Sequence, residues 1–204
     1  MSNILTFNCV SKHYDQHKAL NKVSIAIPEN SIFALLGPNG SGKCTKSYIS
    51  GDSAGGGLSL GVTLALKDDN SDLPNAVIPL SPWAELDPVS ETYDTNADID
   101  PYISKDAIAA FRDLYIKDES DLINPYASPV YGNYEGFPPL LIQVGGREVL
   151  LDDSKKVAES AESSGCDVKL EVWDDMVHVF HGYAPFLPEA NEALDAIADF
   201  ISDK

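Results

Sequence analysis

Apolar residues along this chain fall into two rhythms that alternate with each other. Residues 3–14 and 22–36 are rich in Ile, Val, Phe and Leu and flank a polar turn, which predicts two strands. The run at 31–36 (SIFALL) is apolar throughout and enters a glycine-rich turn, GPNGSGK, at 37–43. A short extended stretch at 46–50 (KSYIS) then leads into a second such turn, GDSAGGG, at 51–57. Residues 54–66 predict a largely apolar, buried helix carrying Leu58, Leu60, Val62, Leu64 and Ala65. Further strands are predicted at 75–80 (NAVIPL), 140–144 (LLIQV) and 169–173 (KLEVW).

Between these strands the period changes to that of a helix. Residues 104–116 place Ala107, Ile108, Phe111, Leu114 and Tyr115 on one face behind Ser104 as N-cap. A helix over 152–164 ends at Gly165, where glycine tolerates the left-handed backbone that closes a helix. A last helix over 188–202 has apolar residues at 190, 193, 194, 197, 198 and 201. Strands alternating with helices imply an α/β fold, a mostly parallel sheet flanked by helices, preceded by a β-rich N-terminal segment.

Charge divides the chain at about the same place. The 204 residues carry a formal charge of −18. Residues 1–45 hold Lys12, Lys18, Lys22 and Lys43 against Asp15 and Glu29, a net +2, which leaves −20 on the remainder. Two pieces are expected, 1–45 and 46–204. So acidic a protein is a poor partner for nucleic acid, whose phosphates need Lys and Arg. No apolar run approaches the roughly 18 residues of a membrane span. The start of the chain lacks the pattern of a signal peptide, so a cytoplasmic location is expected. Cys9, Cys44 and Cys166 are scattered without metal-ligand spacing, so free thiols and no metal or cofactor are expected.

The two glycine turns carry competing chemistries. Gly37, Gly42 and Lys43 fit the phosphate-binding pattern GxxxxGK[ST], in which backbone N–H groups cradle phosphates and the lysine reaches the terminal ones. Cys44 replaces the final Ser or Thr, and a thiol is a poor ligand for Mg²⁺. Gly51-Asp52-Ser53-Ala54-Gly55 fits the G-x-S-x-G elbow, where a strand enters and a helix leaves a sharp turn bearing a nucleophilic serine. A phosphate loop needs a helix from about Gly42 to Ser53, whereas an elbow needs 46–50 extended. Tyr48 and Ile49 favour a strand, and Gly51 would weaken a helix by roughly 1 kcal/mol relative to Ala. The elbow is the better reading.

Residues 3–45, with the GPNGSGK loop and Tyr14 at a position for stacking on adenine, resemble the start of an ABC-transporter ATP-binding subunit. No Walker B carboxylate or LSGGQ-type signature follows. The segments GDSAGG (51–56), SPWAEL (81–86), NPYASPVYG (124–132), FPPLLIQVGGREVLLDDS (137–154) and DVKLEVWDDMVHVF (167–180) resemble the hormone-sensitive-lipase-like, bacterial type IV esterases. That resemblance implies a partial α/β-hydrolase fold over about 46–204 and hydrolysis of short-chain carboxylic esters. It implies Ser53 as nucleophile, Glu148 as acid, His178 as base and the Ala54 N–H as an oxyanion donor. The order of the three residues, with acid and histidine each on a loop after a strand, agrees independently. Asp152 and Asp153 are rivals for the acid, read as favouring the start of the next helix. His181 is read as a solvated loop residue, and Trp83, Trp173 and Phe180 as core or pocket wall.

The HGGG oxyanion loop that the resemblance leads one to expect upstream is absent from the sequence. Two other functions therefore stay open: a catalytically silent hydrolase-fold chimera, and a nucleotide-binding module using Gly37, Gly42 and Lys43. Residues 1–45 are expected to form a hairpin or small sheet on the hydrolase edge, or to join copies into a homo-oligomer.

Overall fold

A computed structural model of the chain describes residues 3–14, 17–28 and 46–204. Its contacts divide it into two units, Met1–Tyr48 and Ile49–Lys204. The first contains an antiparallel hairpin of β1 (Asn3–Tyr14) and β2 (His17–Pro28). The second strand thus starts earlier than the apolar run at 22–36 predicts. Pairing explains the difference: Tyr14 opposes His17, His13 opposes Lys18 and Lys12 opposes Leu20. Backbone ladders recruit residues regardless of their polarity. The first glycine turn, with Gly37, Gly42, Lys43 and Cys44, lies outside the described residues.

The second unit is built on strands β3 (Tyr48–Asp52), β4 (Ala76–Leu80), β5 (Leu140–Gly145) and β6 (Val168–Trp173), which lie side by side in that order. Registers from Leu140↔Val168 to Gly145↔Trp173, and Val77↔Leu140, are parallel. Helices α1 (Ala54–Asp68), α2 (Thr92–Thr95), α3 (Lys105–Tyr115), α4 (Leu151–Ser163) and α5 (Pro188–Ser202) connect or follow the strands. This is a partial α/β-hydrolase fold. Among the described residues no helix is long and apolar enough to cross a membrane.

Strand alternation decides what covers each face. Leu140 and Ile142 of β5 pack with Leu60 and Leu64 of α1 and Val157 and Ala161 of α4 in the largest core cluster. Each fully buried Leu or Val there contributes about 1.5–3 kcal/mol. Gln143, pointing the other way, donates from Nε2 to Ala193 O of α5 at 3.0 Å. Helix ends follow sequence signals. Ser104 Oγ accepts from Ala107 N at 3.2 Å. After α4, Gly165 (φ +76°) bonds back to Glu162 O and Cys166 N to Ala161 O, a paired closure that satisfies two terminal carbonyls.

Two helices cover less than their patterns suggest. On α3 only Ile108 is buried, while Phe111, Leu114 and Tyr115 are 52%, 85% and 59% exposed. On α5 Ala190 and Ala193 are buried against Phe180, and Leu194 is exposed. A 3.6-residue stripe specifies a face that wants cover, and cover requires a facing element.

Candidate active site

The site grows out of the carboxyl ends of the strands. β3 stops at Asp52, α1 starts at Ala54, and the single residue between them turns the chain. Ser53 holds φ 54° and ψ −119°, a region costly for a residue with a Cβ. The surrounding glycines let backbone approach backbone. A Cβ on Gly51 would stand 2.3 Å from Gly55 O, and one on Gly57 2.0 Å from Trp83 O. Ser53 N donates to Leu80 O at 2.9 Å, and Ser53 O accepts from Trp83 N at 2.9 Å and Gly57 N at 3.1 Å. Ala54 occupies the first helical position, where N–H groups have no partner within the helix, and it is exposed.

The acid loop follows β5. Glu148 is fully buried, and its Oε1 accepts from Gly145 N at 2.6 Å and Ser81 Oγ at 2.7 Å. Its Oε2 lies 2.7 Å from His178 Nδ1, on the loop after β6. Because a carboxylate only accepts, the neutral tautomer that fits this bond carries its proton on Nδ1 and its lone pair on Nε2. Backbone contact sets the two loops against each other: Gly146 N donates to Trp173 O at 2.8 Å and Arg147 N to Met176 O at 3.1 Å. A Cβ on Gly145 would lie 2.4 Å from Met176 O, and one on Gly146 the same distance from Asp174 O. The dipeptide Gly145-Gly146 is therefore what lets acid and histidine loops touch.

The structure joins Glu148 to His178 directly. Among the described residues no hydrogen bond links the Ser53 hydroxyl to His178. The elbow meets the pair through β4 instead, since Leu80 O holds Ser53 N and the next residue, Ser81, holds Glu148. Sequence reasoning missed Ser81, although it opens the SPWAEL segment. It also missed Asn96, whose Nδ2 donates to Glu148 O at 2.9 Å, and Asp100, whose Oδ2 accepts from Val149 N at 2.9 Å. Only the acidic, polar stretch ETYDTNADID at 91–100 marked them.

One expectation is corrected here and another extended. His181 is buried, not solvated, its Nε2 3.0 Å from Gln143 Oε1 and its ring against Phe180. Burial pulls its pKa down to about 4, with the Asp52 charge opposing. Asp153 does more than favour a helix start. It is fully buried, and its Oδ2 accepts from Ala84 N and Glu85 N, both at 2.9 Å, pinning the loop after Ser81 onto α4. Its Oδ1 has no partner among the described residues. Burial pushes its pKa up to about 8, against the pull of those two N–H groups. Asp152 accepts from Thr92 N at 3.1 Å. Neither aspartate contacts His178 among the described residues.

The α/β hydrolase fold family matches residues 16–182. The chain belongs to this family. The match begins at residue 16, upstream of the division expected near residue 45. An acetyl-hydrolase of Streptomyces hygroscopicus is 37% identical over 153 residues, 75% of this chain and 51% of that protein. An esterase of Acinetobacter venetianus is 37% identical over 152 residues, 74% of this chain and 50% of that protein. Among solved structures, an esterase/lipase from an uncultured bacterium superposes with a TM-score of 0.72 at 42% identity, covering 76% of this chain and 52% of that one. An esterase of the bacterial hormone-sensitive lipase family gives a TM-score of 0.73 at 42% identity, covering 75% and 51%. The chain spans about half the length of the curated relatives it matches.

Proposed function

We propose that the protein is a serine carboxylesterase acting on short-chain esters, with Ser53 as nucleophile, His178 as base and Glu148 as acid. The observation that carries this reading is the 2.7 Å bond from His178 Nδ1 to a buried carboxylate, which leaves Nε2 free to take a proton. Ser53 Oγ attacks the ester carbonyl carbon as its proton passes to Nε2. The tetrahedral oxyanion forms against the Ala54 N–H at the start of α1. The imidazolium then protonates the departing alkoxide, leaving an acyl-serine. Water attacks that ester, giving its proton to His178, and the carboxylic acid is released with Ser53 restored. Glu148 fixes the tautomer and steadies the imidazolium throughout.

Related hydrolases support the substrate class, and one solved relative was soaked with p-nitrophenyl butyrate. Loss of one oxyanion donor costs a factor of about 10²–10³ in rate, so turnover without an HGGG loop is expected to be slow. Hydrolysis of p-nitrophenyl acetate and butyrate by the wild type and by Ser53→Ala tests the reading. Slow hydrolysis that disappears with Ser53→Ala, together with fluorophosphonate labelling confined to Ser53, is the expected result. Activity that survives Ser53→Ala would remove Ser53 from the mechanism.

A further inference from the structure

We propose that Ser81 is a positioning residue for the acid–base pair, locking the Glu148 carboxylate and the His178 loop to the end of β4. This rests on the reading of Glu148 and His178 as acid and base. Ser81 is fully buried and stands immediately after β4 with φ +45°, a conformation that disfavours any residue with a Cβ. Its N–H donates to Gln143 O at 2.7 Å, which fastens it to β5. Its hydroxyl makes two bonds at once. It donates to Glu148 Oε1 at 2.7 Å and accepts from Val179 N at 3.2 Å.

The second of these bonds is the more telling. Val179 directly follows the histidine and also holds a left-handed backbone, φ 51° and ψ 42°, which is unfavourable for a β-branched residue. Two strained residues on different loops are therefore tied by one hydroxyl. With Gly145 N, Ser81 fixes one carboxylate oxygen and so orients the other toward His178 Nδ1. Leu80 O meanwhile anchors Ser53 N, so adjacent residues of one strand end hold the elbow, the acid and the loop of the base. An alanine would leave a buried carboxylate oxygen short of a donor and the Val179 N–H without its acceptor.

The test uses Ser81→Ala and Ser81→Gly in the full chain. Glycine is comfortable at φ +45°, so it separates loss of the hydroxyl from backbone strain and keeps a folded variant in hand. The first readout is the His178 Nδ1–H proton resonance in protein carrying ¹⁵N-labelled histidine, which needs no turnover. A protected resonance in the wild type, lost or broadened by exchange in both variants while circular dichroism is unchanged, is expected. The second is kinetic: kcat falls about 10- to 100-fold with KM held, the range of one hydrogen bond to a charged group. A folded Ser81→Gly with the wild-type resonance, or a wild type lacking the resonance, overturns the proposal. A wild type that shows the resonance but hydrolyses no ester would count against the esterase reading and leave the proposal to be decided by the resonance alone.

Discussion

The acid–base side of the site and the nucleophile side are finished to different degrees. Glu148 is wholly buried and accepts from a backbone N–H, a serine hydroxyl and the imidazole, while Asn96 and Asp100 pin the loop that carries it. Among the described residues Ser53 is held only by its backbone, beside an exposed Ala54. Among the described residues, the groups bonded to Glu148 and His178 lie on β4, β5, β6 and the loops that follow them. Under the proposed roles, the partners of Glu148 and His178 converge from several loops, while an oxyanion at Ser53 would meet the Ala54 N–H at the start of α1.

The largest expected effect strikes the finished side. Glu148→Gln keeps the side chain's shape but offers His178 a mixed partner and the wrong tautomer. Esterase kcat should fall by about 10³–10⁴, with labelling of Ser53 slowed in parallel. A loss of less than tenfold would mean that another group orients His178.

Next comes a contrast between two buried carboxylates only five residues apart. Glu148 has partners on both oxygens, whereas Asp153 has none on Oδ1 among the described residues. With its pKa raised to about 8 by burial, folded Asp153 keeps its proton where the unfolded chain, near 3.8, has lost it. Its stabilising contribution is complete below pH 3.8 and is lost as the pH rises through about 8. Asp153→Asn, which imitates the protonated group, should gain on the wild type by roughly 2–4 kcal/mol between pH 5 and pH 8. Urea melts at the two pH values measure the difference, and equal slopes for both proteins would refute it. His181 works in the opposite sense. With a folded pKa of about 4, it stabilises above pH 6.5 and loses that contribution as the pH falls toward 4.

On the open side, Gly57→Ala would drive a Cβ to 2.0 Å from Trp83 O, with backbone on both sides of the clash. A loss of about 1–3 kcal/mol in thermal unfolding is expected, with fluorophosphonate labelling impaired as the elbow shifts. Stability within error of the wild type would show that the contact between α1 and the Trp83 loop yields easily. The smallest effect belongs to α3, where Leu114→Ser on an 85% exposed position should change stability by less than about 0.5 kcal/mol. A larger loss would reveal that something covers Leu114 in solution.

Local signals were legible in the sequence wherever local physics decides the outcome. Ser104 caps its helix, Gly165 ends another, and the glycines at 51–57 mark a turn where backbone packs on backbone. The order of elements around Glu148 and His178 was equally legible, because each follows an apolar strand. What escaped depends on non-local pairing. The burial of His181 follows from a partner 38 residues away, and the grip of Asp153 on Ala84 spans 69. Ser81 looked like any serine before a proline, since its significance lies in two loops that arrive much later in the chain. The stripe on α3 predicted a helix and left its cover open, because periodicity describes one side of an interface only.

The uncovered apolar residues of α3, with Phe186 at 91% exposure, bear on how the protein behaves in bulk. A formal charge of −18 is expected to oppose self-adhesion of such a surface through the average repulsion between copies. That protection is colloidal. Salt shortens its reach to about 3 Å at 1 M, and acid erases it as the carboxylates protonate. Clouding at high ionic strength or low pH, reversed by dilution into neutral low-salt buffer, is the expected macroscopic trace of that bare helix face.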